Sequence, residues 1–293
     1  MAYHPEALVA DISKTANWLR RQVLTMVYEA QSGHIGGSFS AAEIVASFYF
    51  HHLRLDPGRP TWPERDRFLM SKGHASPLLY AALARRGFFP EKELCTFRQI
   101  GSRLQGHPDR LKLPGIEISA GPLGHGIAVG AGMALALRRG GQKPSSVSAP
   151  SARASQARVY VLVGDGELNA GVVWEGALVA SKYRLGNLCV VVDCNGVQQT
   201  GATADVLPTE PLRDKWEAFA WYVQEVNGHN VREVLDALDR ADEIHARPSV
   251  ILARTTKGKG VRFMEYDHRW HGTPPQREEY ERAMRELAGE PLQ

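Results

Sequence analysis

Apolar residues recur at helical spacing from Glu6 to Ala30, at Leu8, Ile12, Ala16, Leu19, Val23 and Val27, and the run stops just before Ser32-Gly33. That periodicity predicts a long first helix. Ser40 followed by Glu43 reads as a capping box opening a second helix that runs to about His51. The Pro- and Gly-containing stretch Asp56–Pro63 is loop, Arg67–Ser71 a short strand and Ala75–Arg86 a helix. Ile127–Leu137 is apolar on nearly every side and carries Gly130 and Gly132, which predicts a buried helix lying close to other backbone. Its glycines cost helix propensity, so close packing has to justify them.

From Val159 onward the pattern alternates. Val159–Val163, Leu188–Asp193 and Ser249–Ala253 are short, β-branched and apolar along their whole length, Tyr222–Val226 is a further strand, and Val172–Tyr183 and Val231–His245 read as helices. Short strands with no polar face, separated by helices, mean a parallel sheet covered on both sides. The expected fold is therefore α/β, a doubly wound, mainly parallel sheet with helices on both faces, in one domain spanning residues 1–293. Gly140–Gln156 has no apolar period and reads as a mobile inserted surface loop.

Composition narrows the function. A chain of 293 residues, 43% hydrophobic and 23% charged, is globular and core-forming rather than disordered or fibrous. Its net charge of +3 carries no dense basic run, which leaves nucleic acid or a membrane surface without support as partners. Apolar runs such as Val190–Val192 fall far short of the roughly 20 residues of a membrane span. Met1–Ala10 does not resemble a secretion signal, and Cys95, Cys189 and Cys194 form no CxxC pair. A reducing, cytoplasmic setting is expected.

In a doubly wound sheet ligands sit beyond the carboxyl ends of the strands. There the sequence places Gly164-Asp165-Gly166 after one strand and Asp193-Cys194-Asn195-Gly196 after the next. Taken singly, the first is an ordinary turn and the Asn-Gly an ordinary hairpin. Together they put a carboxylate and an amide oxygen thirty positions apart, the span of one strand–helix–strand crossover, into one crevice. One carboxylate and one amide are too few for the oxygen cage of calcium but suit magnesium, which completes its shell with phosphate and water. The helix from about Val172 aims its positive end at the same region, so a diphosphate ligand is expected.

That spacing resembles the thiamine-diphosphate-binding motif, and the likeness extends along the chain. Ser32-Gly33-His34-Ile35-Gly36-Gly37, Asp66–Ala75, Gly106-His107-Pro108 and Gly121-Pro122-Leu123-Gly124-His125-Gly126 resemble, in order, the N-terminal half of transketolase. Gly164–Gly171, Asn195-Gly196-Val197, Thr255–Gly260 and Trp270-His271-Gly272 continue the series. The resemblance is to the stand-alone N-terminal subunit of a split transketolase, because the chain stops where full-length members continue into a pyrimidine-binding domain.

The resemblance implies roles residue by residue. Asp165 and Asn195 would ligate magnesium (or calcium or manganese in its place) through side chains and Val197 through its carbonyl. Gly164, Gly166, Glu167, His74 and His271 would surround the diphosphate, and Gly121, Pro122 and Leu123 the aminopyrimidine. His34, His74, His107 and His271 would line the substrate funnel as catalytic imidazoles, which suits proton shuttling near neutral pH, and a bound diphosphate would raise their proton affinity. His51, His52, His229, His245 and His268 read as surface or core residues, and His125 stands where the family usually has Gln. Lys257 and Lys259, set between glycines, either approach a phosphate or lie in an exposed loop. Glu175 matches an acid near the family's subunit interface or is a solvated helix residue, and Ala170 replaces a glutamate usual there.

The implied activity is transfer of a two-carbon ketol unit from a ketose (phosphate) donor to an aldose acceptor, with a C-terminal transketolase subunit supplying the activating glutamate in a heterotetramer. Two alternatives share the same residues: delivery of the unit to a carrier-bound or other biosynthetic acceptor, and a non-catalytic scaffold paralogue.

Overall fold

The computed structural model describes residues 4–140 and 157–290, so the inserted loop expected at 140–156 lies outside the described residues save for its first position. Helices α1 (Glu6–Ala30), α2 (Gly36–Ser40), α3 (Ala42–Ser47) and α4 (Ser76–Arg86) make up the N-terminal part, with strand β1 (Arg67–Met70) between α3 and α4. Helix α5 (His125–Gly140) precedes β2 (Val159–Gly164), α6 (Gly171–Lys182) and β3 (Leu188–Cys194). After β3 come α7 (Thr203–Val206), α8 (Leu212–Ala218), β4 (Tyr222–Asn227), α9 (Val231–Glu243), β5 (Ser249–Arg254) and α10 (Arg277–Ala288).

The five strands form one sheet in the order β1-β2-β3-β5-β4, and every pairing is parallel. Alternate residues of each strand face opposite sides. Tyr160, Leu162, Cys189, Val191 and Ile251 belong to a core shared with α1, α3, α4 and α9. Val161, Val163, Val190, Val192 and Leu252 belong to a second core under α5, α6 and α8. Two cores on two faces explain why these strands carry no polar period, and the expected doubly wound architecture is observed.

The capping box is not. Ser40 ends α2, the chain bends at Ala41, and the helical run finishes in a wide turn at Phe48–His52. Tertiary partners outcompete the local cap: the Ser40 hydroxyl donates to Asp193, and Glu43 accepts two bonds from the Arg20 guanidinium and one from His229. Helix α10 adds an element beyond those expected, although Tyr280, Ala283, Met284 and Leu287 follow a helical period and Gln276 with Glu279 forms a capping box there. The helix α5 expected to be buried is covered on one side only, with Val129 and Ala136 exposed.

Glu43 and Arg20 are both buried. Burial acts against the Glu43 carboxylate, but the Arg20 charge and the His229 hydrogen bond outweigh it and hold the group at about 2, against an ordinary 4.5. Its stabilising contribution is thus complete above pH 4.5 and is lost as pH falls towards 2. Glu43→Gln leaves Arg20 buried without its counter-charge, and denaturant unfolding at pH 7 is expected to show a loss of about 3 to 5 kcal/mol.

Candidate cofactor and metal site

Four neighbouring parallel strands end at one crevice. β1 runs into Ser71-Lys72-Gly73-His74, β2 into Asp165-Gly166, β3 into Asn195-Gly196 and β5 into Thr255-Thr256-Lys257. Their ends surround a cavity of about 200 Å³ whose walls include His74, Leu123, Gly164, Asp165, Gly166, Glu167, Asn195, Val197 and His271. Most of the residues singled out from sequence are therefore brought together.

Asp165 is held from both sides, one carboxylate oxygen accepting from the Gly166 N–H at 2.8 Å and the other from the Gly196 N–H at 2.7 Å. Each oxygen keeps a lone pair for a cation. Burial, reinforced by the nearby Asp193 carboxylate, pushes Asp165 up to about 6 from its ordinary 3.8 despite those two bonds. Asn195 is oriented by Asp193, to which its amide nitrogen donates at 3.0 Å, so the amide oxygen is the atom turned to the Val197 N–H at 3.1 Å.

Asp193 and Lys72 are the functional residues that sequence reasoning missed. Both are fully buried and ion-paired, and Asp193 also accepts from Ser40 and Thr255. Burial acts against the Asp193 carboxylate, yet the Lys72 charge and these bonds keep it below its usual range. The pair cancels a second buried charge, and Asp165, facing the cavity, forms no ion pair among the described residues. A signal existed, since Lys72 follows β1 directly and β1 lies beside β2, but strand order is not written in the sequence.

Among the described residues no cluster of three His, Cys, Asp or Glu able to hold a metal occurs. A cation at Asp165, Asn195 and Val197 therefore needs oxygens from a co-ligand, and the surroundings provide for an anionic one. An added Cβ at Gly164, or at Gly196 with its φ of +74°, would meet nothing within 4 Å, so backbone faces open space there. Lys257 supplies positive charge at the cavity wall, where the Lys72 charge is already paired with Asp193. The residues present fit a divalent cation with a diphosphate.

His34, His74 and His271 pack against one another with ring centroids 5.0 to 5.3 Å apart. Burial lowers all three, His34 to about 4, His271 to about 3 and His74 well below the ordinary range, and the nearby cations add to the effect. All three are neutral at pH 7 and able to donate and accept. His107 stands apart from the cavity wall, in an open groove with Arg98, where burial and the Arg98 charge lower it as well.

Glu167 reaches the cavity, but its carboxylate accepts from Ser71, Gly124 and Gly164, so its contacts brace the surrounding backbone. Leu123 lines the cavity; Gly121 passes beside Gly73 and 4.0 Å from the His107 ring when a Cβ is placed on it, and Pro122 is exposed at the rim. Lys257 is buried on the cavity wall, whereas Lys259 pairs with Glu265 at the surface. Ala170 lies beneath Gly124, whose added Cβ would come within 2.6 Å of the Ala170 methyl, and Glu175 is exposed.

A parallel sheet whose strand ends combine a glycine-flanked carboxylate, an oriented amide, a backbone carbonyl and a neutral imidazole cluster defines a diphosphate-and-metal-binding α/β protein. The chain matches the family described as transketolase, thiamine diphosphate binding domain, over residues 12–293, and belongs to it. It is similar to the 6-deoxy-6-sulfo-D-fructose transketolase subunit SqwG of a Clostridium species, at 39% identity over 96% of this chain and 97% of that protein. An apulose-4-phosphate transketolase subunit from Actinobacillus succinogenes is 40% identical over the same shares, 96% and 97%. Among solved structures, transketolase from Campylobacter jejuni superposes with a TM-score of 0.87 at 33% identity, covering 96% of this chain and 43% of that one. The chain thus spans about two fifths of the length of that transketolase and nearly all of the proteins named as subunits.

Proposed function

We propose that this chain is the N-terminal subunit of a two-component transketolase, holding the diphosphate and magnesium of thiamine diphosphate while a C-terminal partner supplies the activating glutamate in a heterotetramer. The observation that carries this is the convergence of Asp165, Asn195, Val197, His74 and His271 on one cavity at the ends of adjacent strands. Bound thiamine diphosphate supplies a carbon nucleophile able to accept and release a two-carbon unit. The chain's residues do the rest: Asp165, Asn195 and Val197 would hold the cation, Lys257 offsets the anion's charge, neutral His34 and His74 move protons to and from substrate oxygens, and His271 hydrogen-bonds beside them. His107, in the adjoining groove with Arg98, meets substrate on its way in.

The names of the relatives denote sugars bearing a sulfo or phosphate group, which favours an anionic ketose donor over a carrier-bound partner. The scaffold alternative is disfavoured by Asp165, Asn195 and Val197 lining one cavity with His74 and His271. The test is ketol transfer by the assembled complex, offered anionic ketoses with aldose acceptors and, separately, carrier-bound acceptors. Cofactor binding without transfer to either acceptor would sink the proposal.

Ala170 bears on coupling between sites. With a methyl group under Gly124 where the family usually has an acid, the two sites of the complex are expected to bind cofactor independently. A calorimetric isotherm with two distinct steps, abolished by Glu175→Gln, would contradict this.

A further inference from the structure

Lys257 is buried, yet its ammonium is fully satisfied: Nζ donates to the Val197 carbonyl at 2.9 Å and the Gln198 carbonyl at 3.2 Å, and lies 2.8 Å from Nδ1 of His271. An ammonium has three hydrogens and no acceptor. With two hydrogens given to carbonyls, the third faces Nδ1, and that nitrogen can only accept. The proton of a neutral His271 then resides on Nε2, the ring atom farther from Lys257.

We propose that Lys257 is a positioning residue that locks His271 in the Nε2–H form, presenting this histidine to the site as a hydrogen-bond donor for an anionic or carbonyl oxygen, while tying it to the carbonyl of the metal-binding loop. The lysine is itself immobilised. Its loop is pinned where the Thr256 N–H donates to Nε2 of His229 at 2.8 Å and the Gly258 N–H donates to the Gly36 carbonyl at 3.1 Å. The Lys257 stem lies against Gly36, where an added Cβ would come within 3.0 Å of Cγ. His271 cannot turn away freely either, since His34 meets it edge-on at 5.3 Å and His74 lies at 5.0 Å. His229, which reads as unremarkable in sequence, thereby reaches the site through two links. Its Nε2 accepts from Thr256, so Nδ1 carries the proton that goes to Glu43 at 3.0 Å. A hydrogen bond that fixes the far nitrogen is the usual way a protein selects an imidazole tautomer.

The inference deepens the proposed function, and the test separates the two. Long-range proton–nitrogen NMR spectra of the full-length chain at pH 7, with the His271 ring assigned through His271→Gln, are expected to show an unprotonated Nδ1 and a protonated Nε2. Lys257→Arg, also a pure donor, keeps that pattern, and Lys257→Met gives a ring averaged between both forms. A proton on Nδ1 in the unaltered chain, or a His271 ring unchanged in Lys257→Met, would overturn the lock whatever the complex catalyses. In the active complex, Lys257→Met is expected to raise the donor KM about tenfold, the worth of one hydrogen bond to a charged group, with recovery in Lys257→Arg. An unchanged KM would overturn the donor role even with the tautomer confirmed.

Discussion

Replacing Asp165 by alanine is expected to weaken magnesium-dependent binding of thiamine diphosphate to the complex by at least about 100-fold. Asn195 and Val197 offer neutral oxygens only, and Asp193, the other carboxylate nearby, is already committed to Lys72, Ser40, Thr255 and Asn195. A hard divalent cation facing two neutral donors loses the charge that holds it to protein. The same carboxylate sets a pH dependence. Because burial places Asp165 at about 6, cofactor affinity should be flat above that pH and fall about tenfold per unit below it, as a proton competes with the cation. Stability runs the other way for the chain without metal. A carboxyl that binds its proton more tightly folded than unfolded contributes stability in full below pH 3.8 and loses it as pH rises through about 6, a difference of about 3 kcal/mol. The rise in Tm on adding magnesium with thiamine diphosphate should therefore be larger at pH 7.5 than at pH 5. Calorimetric titration at several pH values checks both, and an Asp165→Ala complex that binds cofactor normally would refute the metal assignment.

The second large effect is dependence on a partner. The chain by itself is expected to show no ketol transfer, and mixing with a C-terminal transketolase subunit should bring turnover to the ordinary enzyme range of about 10 per second. The surface carries apolar side chains that such a partner would cover. Val129 on α5, Leu178 and Val179 on α6 and Tyr183 just after it are exposed, and so is Leu123 on the cavity wall. An assembly of the expected kind would cover such side chains and bury roughly 2,000 Å² or more. Size-exclusion chromatography with and without the partner, alongside a transfer assay, tests this. Transfer at full rate by the chain alone would refute the dependence.

Where the sequence spoke clearly, the physics was local. The apolar spacing of α1 set its ends, and Val159–Val163, Leu188–Asp193 and Ser249–Ala253 could not be amphipathic strands, so a sheet covered on both faces followed. Asp165 and Asn195 were legible because each directly follows such a strand, and the topology of a parallel sheet sends both to the same edge. The tertiary structure decided what depends on long-range competition. Ser40 abandons a local cap because a buried Asp193, 153 positions away, is the stronger acceptor. Lys72 becomes a site residue only because β1 pairs with β2, and no local pattern fixes strand order. Whether Lys257 lies in solvent or in the site depends on the loop being pinned by His229 and Gly36, a contact between segments more than 200 residues apart for the latter. Periodicity and strand-end chemistry are properties of neighbouring residues and can be read along the chain; the partner that satisfies a buried charge comes from wherever the fold delivers it, and only the folded chain reveals which one wins.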